Sequence, residues 1–349
     1  MGKIPVAILG ATGAVGQRFV QLLDAHPWFE VAVITGSERS IGRPYGEVAR
    51  WILDDAPPER VAAMTVQPTE NAGGVPLAFS ALPAEQARAS EPLWAAAGAV
   101  VCSNASAYRM DALVPLLIPE VNPEHIGLIE AQRDARGWTG AIVTNPNCST
   151  ITLTMALKPL HDRWGVARVH ATTLQAISGA GYPGVASLDI LDNIVPFIGG
   201  EEEKIESEPL KLLGSFANSA VQPADIRISA SVNRVPVLDG HTVSTSVALV
   251  KPASIEEVVD ALREFAPAER VAALPSAPSR AIVVRDEQDR PQPRRDRNLY
   301  NGMGTTVGRV RACNLLDVKF TVLSHNTIRG AAGGALLNAE LLVAEGLIG

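Results

Sequence analysis

The run Ile4-Pro5-Val6-Ala7-Ile8-Leu9 passes straight into Gly10-Ala11-Thr12-Gly13-Ala14-Val15-Gly16. A short apolar run reads as a buried strand, and glycines after it let the backbone turn sharply and come close to a pyrophosphate. Apolar residues then recur at helical spacing (Val15, Phe19, Val20, Leu22, Leu23), and Val31 to Thr35 is a second β-branched run. Strand, glycine turn, helix and strand within about 35 residues make a βαβ unit. The spacing is GxxGxxG rather than the commoner GxGxxG, so the motif draws its weight from its place after a strand. A helix opening there offers unpaired N–H groups and a positive dipole end to an anion.

Outward from this unit, Val75–Phe79, Ala99–Cys102, Leu116–Leu117 and Ala141–Val143 read as strands, and Ala84–Ala97 as a helix broken near Pro92. The first ~145 residues are therefore expected to form a doubly wound α/β domain. The character then changes. Ser149–Leu160 reads as a helix and Val166–Gln175 as a long strand. Ile228–Pro236 and Val243–Val250 flank Leu238-Asp239-Gly240, a hairpin signal. Ser254–Phe265 is an amphipathic helix, Val318–Leu323 a strand and Thr327–Glu345 a final Ala/Leu/Gly-rich helix. Arg285–Arg297, dense in charge and proline, reads as a solvated loop.

Composition bounds the function. The chain has 349 residues and a net charge of −7, so no basic excess is present to neutralise nucleic-acid phosphates, and 5% aromatics leave little for base stacking. With 47% hydrophobic and 19% charged residues it is not a disordered chain. Three cysteines (Cys102, Cys148, Cys313) fit a reducing compartment rather than a disulfide framework. The longest uncharged stretches carry Pro, Gly, Asn and Gln at their centres and do not read as membrane spans. The expectation is a soluble, cytoplasmic protein with no nucleic-acid or membrane partner. The six histidines show no ligand spacing, so no metal site is expected.

Several residues carry chemistry. Cys148 lies in Thr144-Asn145-Pro146-Asn147-Cys148-Ser149-Thr150, after a strand and at a helix start, where the dipole is expected to lower the thiol pKa and make a nucleophile. An inert buried cysteine is the competing reading, and the one adopted for Cys102 and Cys313. After the second strand, Ser37, Arg39 and Ser40 surround Glu38, a set suited to a 2′-phosphate and so to NADP. Gln175 precedes Ile177-Ser178-Gly179, where a glycine permits close approach to a ligand. In the expected hairpin, Arg234 and His241 point to one side, about 13 Å apart at ~3.3 Å per residue, so that a small acid spans guanidinium and imidazole. Glu201-Glu202-Glu203-Lys204 reads as a solvated helix start, with Lys204 or Arg109 available to a phosphate.

The chain resembles the aspartate-semialdehyde dehydrogenases, the archaeal and fungal branch in particular. The resemblance rests on GATGAVG from Gly10, NPNCST around Cys148, QAISGAGYPG from Gln175, VPFIGGEEEK ending at Lys204 and NRVPV followed by Gly240-His241. DRPQPRRDR from Asp289, GMGTTVGRVR from Gly302 and SHNTIRGAAGGA from Ser324 complete it, in order along nearly the whole chain. It implies an N-terminal Rossmann-like NADP-binding domain (1–147 with 326–349), an α+β catalytic and dimerisation domain (148–325), and a last helix that returns to the first domain. It implies that Cys148, beside Asn147, forms an acyl thioester, with His241 as acid/base and Gln175 orienting the intermediate. Arg234 would bind the substrate carboxylate and Glu201 its amino group, with the choice among Glu201, Glu202 and Glu203 open. Arg109 and Lys204 would hold phosphate. Gly10, Thr12, Gly13, Ala14, Val15, Ser37, Arg39, Ser40, Ser178, Gly179 and Asn326 would line NADP. The implied reaction is NADPH-dependent reductive dephosphorylation of L-4-aspartyl phosphate to L-aspartate 4-semialdehyde, on the route to lysine, threonine and methionine, in a homodimer or dimer of dimers. Malonyl-CoA reduction with the same thiol, and a nucleotide-binding protein without catalysis, are the alternatives.

Overall fold

A computed structural model describes residues 2–348. Five short apolar runs form the first sheet: β1 (Ile4–Leu9), β2 (Phe29–Ile34), β3 (Leu77–Ser80), β4 (Val100–Ser103) and β5 (Ala141–Thr144), in the order β2-β1-β3-β4-β5 with every pairing parallel. β3, β4 and β5 are buried at every position, as parallel strands covered on both faces must be. β1 lies between β2 and β3, so the strand order reverses there and opens a crevice at the strands' carboxyl ends. Gly10 stands at that crevice with φ +77°, and a Cβ on it would lie 3.2 Å from the carbonyl oxygen of Ala81, just past β3. Only glycine is comfortable in that backbone and that space.

The second sheet has the order β11-β12-β13-β10-β6-β9. Its members are β6 (Val166–Gln175), β9 (Arg227–Arg234), β10 (His241–Leu249), β11 (Ile282–Arg285), β12 (Thr305–Ala312) and β13 (Val318–Ser324). A separate small hairpin pairs β7 (Ser215–Ala217) with β8 (Ala220–Gln222). The helix Cys148–Trp164 packs beneath the six-stranded sheet, placing Ile151, Met155 and Leu157 in a core with Val169, Val243 and Phe320. The last helix, Gly333–Ala344, instead buries Ala335, Leu336 and Leu341 with Val6, Ile8 and Phe19 of the first domain. Its apolar character all round suits such full burial, and the chain does return to its starting domain.

Four expectations need correction. Leu116–Leu117 is not a strand. Pro115 and Pro119 bracket it, and one bridge, Leu116 to Thr144, is its only sheet contact among the described residues. The helix Ala84–Ala96 runs unbroken through Pro92. The carbonyl that Pro92 cannot serve, that of Arg88, accepts the Tyr108 hydroxyl at 2.8 Å instead. β9 and β10 are not a hairpin. β6 lies between them, parallel to β9 and antiparallel to β10. The Val235–Gly240 link steps over its end, tied by Val235 N–H to Gln175 O (3.0 Å) and Ile177 N–H to Val237 O (2.8 Å). Finally, Arg285–Arg297 is not a solvated loop. It folds around Asp296, which is fully buried and accepts from Arg290, Arg285 and the Gln292 N–H.

Candidate active site

Cys148 is the first residue of its helix, and Asn147 is the N-cap. The Asn147 Oδ1 accepts from the N–H groups of Ser149 (2.9 Å) and Thr150 (3.2 Å), satisfying two of the orphan donors of the first turn. Its Nδ2 donates to both carboxylate oxygens of Glu201 (3.0 and 2.9 Å), and its backbone N–H to Glu208 Oε2 (2.7 Å). From behind, Gly330 presses on the cysteine: a Cβ there would lie 2.6 Å from the Cys148 Cβ. Gly330 belongs to a π-helical turn, Ile328–Ala332, whose Arg329 is buried against Glu120 at 2.9 Å. In the sequence Arg329 and Gly330 stand within the SHNTIRGAAGGA run and look like the start of an apolar helix, and nothing local shows that they back the cysteine.

Glu201 is the acid of its run that faces the cysteine. It is buried, whereas Glu203 is exposed and Glu202 accepts the Val232 N–H. Besides Asn147 it accepts from Gln175 Nε2 (3.3 Å) and Lys204 Nζ (2.8 Å). Burial works to raise this carboxyl, but the bonds from Lys204, Asn147 and Gln175 outweigh it, and Glu201 stays below the ordinary carboxylate range. The Cys148 thiol moves the other way. Burial first, and the Glu201 charge second, push it up to about 12 against the pull of Arg109, the Ser149 N–H and Arg234. The lowered thiol expected from the helix dipole is thus reversed in the protein alone, although Cys148 itself keeps partial solvent contact.

The placement of β6 between β9 and β10 does more for the site than a hairpin would. Gln175 stands opposite Arg234, and Leu174 opposite Thr242, so Gln175, Arg234 and His241 meet at one sheet end. A single peptide pins two of them. Ala176 offers its carbonyl to Arg234 Nη1 (2.8 Å) and its N–H to His241 Nδ1 (3.1 Å). Both side chains border Gly179, whose added Cβ would lie 2.8 Å from Arg234 Nη1 and 3.1 Å from His241 Nε2. The 13 Å separation inferred from the hairpin is therefore replaced by close convergence. Because Nδ1 accepts a backbone N–H, the ring proton sits on Nε2, which is fully buried and without a partner. Burial, then the charges of Arg234 and His325, lower His241 to about 3. The ring is thus a neutral donor at Nε2. To act as a base there it would need a proton on Nδ1, facing the Ala176 N–H.

Arg109 gives Nη1 to Glu208 Oε1 (2.9 Å) and Nη2 to the Asn104 carbonyl (2.7 Å), and its Nε is buried without a partner. Glu208 and Lys211 were missed in the sequence. Glu201, Lys204, Glu208 and Lys211 recur at one-face helical spacing, which was the available signal. On the cofactor side, Ala14 and Val15 open the first helix after the Gly13 cap, which offers no side chain to the orphan N–H groups, and no acid occupies the first turn. Thr12 lies within the turn, and Gly16 has its would-be Cβ 2.3 Å from the Gly10 oxygen, so helix and strand pack closely. Ser37 and Arg39 are exposed after β2 while Ser40 is buried. Ser178 Oγ accepts Asn326 Nδ2 (2.8 Å), and Asn326 Oδ1 accepts the Gly240 N–H (2.8 Å), so Asn326 ties the Ser178 loop to the turn that launches His241. A cavity of about 380 Å³ runs between Ala14 and Arg18 on one wall and Ser178, Tyr182 and Asp239 on the other. Uncapped helix N–H groups, a glycine turn at the crevice and a free cation beyond β2 fit a dinucleotide phosphate chain. A larger cavity, about 470 Å³, lies away from the cysteine beside the buried His26–Glu340 pair. Among the described residues no cluster of His, Cys, Asp and Glu is arranged for a metal ion, and no helix is long and apolar enough to cross a membrane.

Residues 5–129 match the pattern of the semialdehyde dehydrogenase NAD binding domain, and residues 157–329 that of the semialdehyde dehydrogenase dimerisation domain. Aspartate-semialdehyde dehydrogenase from Archaeoglobus fulgidus is 52% identical over 99% of this chain and 100% of its own length. That from Methanothermobacter thermautotrophicus is 53% identical over 97% of this chain and 99% of its own. A crystal structure of aspartate-semialdehyde dehydrogenase with NADP from Candida albicans superposes with a TM-score of 0.92 at 42% identity, covering 99% of this chain and 100% of that one. Fold and site together define a dinucleotide-dependent dehydrogenase of two domains. Within that class, the chain belongs to the aspartate-semialdehyde dehydrogenase family.

Proposed function

We propose that this protein reduces L-4-aspartyl phosphate to L-aspartate 4-semialdehyde, with release of phosphate, through a thioester on Cys148. One observation carries the reading: the cysteine opens a helix whose cap, Asn147, is held by Glu201 and Glu208, with Arg109 and Arg234 near enough for their charges to act on the thiol. NADP is the cofactor, held by Gly10, Thr12, Gly13, Ala14 and Val15 at the pyrophosphate and by Ser37, Arg39 and Ser40 at the 2′-phosphate, with Ser178, Gly179 and Asn326 on the opposite wall. When bound, it supplies the hydride that reduces the thioester carbon.

The chain's own residues do the rest. Arg234 takes the substrate's α-carboxylate and Glu201, already ringed by donors, its ammonium group. The Cys148 sulfur bonds to the acyl carbon while the carbon–oxygen bond to phosphate breaks, and the thiol proton leaves on the phosphate that Arg109 and Lys204 hold. A thiol kept protonated until then suits that transfer. The oxyanion formed at the carbon needs a donor, which the Nε2–H of His241 provides. Collapse of the reduced adduct frees the aldehyde and the thiolate, which regains a proton. Gln175 orients the acyl group from its place beside Glu201.

We take residues 1–147 with 326–349 as the nucleotide domain and 148–325 as the catalytic domain, in a cytoplasmic enzyme of amino-acid biosynthesis. The six-stranded sheet serves a homodimer, or a dimer of dimers, with exposed Leu188, Leu191 and Phe197 at hand. The relatives above are named for aspartate semialdehyde, which leaves malonyl-CoA reduction without support. The deciding assay mixes purified protein with aspartate semialdehyde, NADP+ and phosphate, and in parallel malonyl-CoA with NADPH. Phosphate-dependent NADPH formation in the first mixture is the expected result. Turnover confined to the second would overturn the assignment.

A further inference from the structure

The Glu201–Leu212 helix does not stop at the substrate. Its face continues through Glu208 to Lys211, which is 7% exposed. The Lys211 ammonium donates to three main-chain carbonyls of one loop: Arg109 at 2.8 Å, Asp111 at 2.8 Å and Val114 at 2.7 Å. All three of its protons are thereby used. Three carbonyl oxygens aimed at one point repel one another unless a cation sits between them. Within the loop the turns are long, Arg109 N–H to Ser106 O at 3.4 Å, Asp111 N–H to Tyr108 O at 3.1 Å and Val114 N–H to Asp111 O at 3.2 Å, and outside ties reach Tyr108 (hydroxyl to Arg88 O), Asp111 (from Arg136) and Leu113 (from Gln132). Of these contacts it is Lys211 that reaches the Arg109 carbonyl itself, and so fixes the origin of that side chain.

What that loop carries is an unfinished guanidinium. Arg109 has one nitrogen on Glu208 and another on Asn104, and its buried Nε has no acceptor. A buried donor left unmade is costly, and an incoming oxyanion is what would complete it. We propose that Lys211 is the positioning residue for phosphate recognition: by drawing the Arg109, Asp111 and Val114 carbonyls onto its ammonium group, it aims Arg109 at the anion that leaves or attacks at Cys148. This rests on the reading of Arg109 as a phosphate ligand. Glu208 joins the two ends, since its other oxygen holds the Asn147 N–H next to the cysteine. Lys211 itself touches neither substrate nor cofactor.

The test is steady-state kinetics in the oxidative direction, with inorganic phosphate as the probe, on the wild type, Lys211→Met, Lys211→Gln, Arg109→Ala and the Lys211→Met/Arg109→Ala double variant. Lys211→Met keeps the bulk and removes the donors. It should raise the KM for phosphate at least tenfold while the KM values for aspartate semialdehyde and NADP+ stay within twofold. Lys211→Gln, which retains two N–H donors, should fall between, and it carries the test should Lys211→Met fail to fold. The double variant should be no worse for phosphate than Arg109→Ala alone, because one effect acts through the other. A general loss, with all three KM values or kcat moving together at an unchanged phosphate KM ratio, refutes the positioning role. So does full additivity in the double variant. A wild type whose turnover ignores phosphate refutes the functional reading itself, an outcome separate from any behaviour of the variants.

Discussion

Gly179→Ala adds one methyl group at the point where the site converges. The backbone of Gly179 is outside the left-handed region, so alanine brings no conformational strain of its own. The methyl carbon, however, would lie 2.8 Å from Arg234 Nη1, 3.0 Å from His241 Cε1 and 3.1 Å from His241 Nε2. Carbon needs about 3.5–4.0 Å from such atoms. His241 is a strand residue held through Ala176 and cannot retreat, so Arg234 must. Its guanidinium then gives up the 2.8 Å bond to the Ala176 carbonyl. A hydrogen bond to a charged group is worth about 1.5–3 kcal/mol, which corresponds to roughly 10- to 150-fold in kcat/KM. Since Arg234 is proposed to hold the α-carboxylate, which does not react, the loss should fall mainly on the KM for aspartate semialdehyde. NADP+ binding should weaken less than substrate binding: Gly179 borders the nucleotide wall with its backbone, but the added methyl points at Arg234 and His241. The measurement is initial-rate kinetics with both substrates varied, alongside a nucleotide titration and the same substitution in an Arg234→Ala background. There the part of the cost that comes through Arg234 should vanish, leaving only what the contacts with His241 impose. An unchanged substrate KM with weakened nucleotide binding would show that the methyl meets the cofactor rather than Arg234 and refute the reasoning.

Cys148→Ala should abolish turnover and leave NADP+ affinity within about twofold by titration, since the thiol lies on the catalytic helix and not on the glycine turn; retained turnover refutes the thioester. Glu201→Gln removes the charge that, after burial, holds the Cys148 thiol high. Alkylation of the Cys148 peptide by iodoacetamide at pH 8, followed by mass spectrometry to separate it from Cys313, should quicken about threefold or more while turnover falls; an unchanged or slower rate contradicts the electrostatic account. Glu91 is fully buried with Ser103 Oγ on one carboxylate oxygen at 2.5 Å, and burial, opposed by the Ser103 bond, raises it to about 7. Its folded pKa exceeds its unfolded one, so the stability it contributes is present below pH ~4.5 and is lost as pH rises through ~7, by about 3 kcal/mol across the window. Glu91→Gln, fixed in the neutral form, should therefore gain in Tm over the wild type between pH 5 and pH 8, and a constant difference would show that Glu91 does not titrate there.

The nucleotide domain was legible because its signals are local. β1, the glycine turn and the first helix lie within one stretch of chain, and each apolar run has one partner layer to choose. Cys148 and Asn147 were legible for the same reason: a helix start carries its own cap chemistry. What escaped is pairing decided at a distance. Asp239-Gly240 has hairpin chemistry, yet β6, about 60 residues earlier, takes both neighbouring edges, a choice that no window around residue 239 contains. That insertion is what brings Gln175 opposite Arg234 and lets one peptide at Ala176 hold both Arg234 and His241. The charge run from Glu201 misled in a different manner. Alternating acids and lysines on a helix face ordinarily mean solvent, but here the face lies against the Arg109 loop: Glu201, Glu208 and Lys211 find partners supplied by chain about 50 to 100 residues away, while Lys204 pairs with Glu201. Asp296 differs in that its counter-groups, Arg285 and Arg290, lie within its own arginine-rich segment, but Arg297 there reaches the Asp239 carbonyl at 3.1 Å and so steadies the turn before His241. On the proposed reading, the residues assigned to the reacting atoms announce themselves by type and local setting, whereas those assigned to aim them are ordinary charges made specific by burial, and only tertiary structure supplies that.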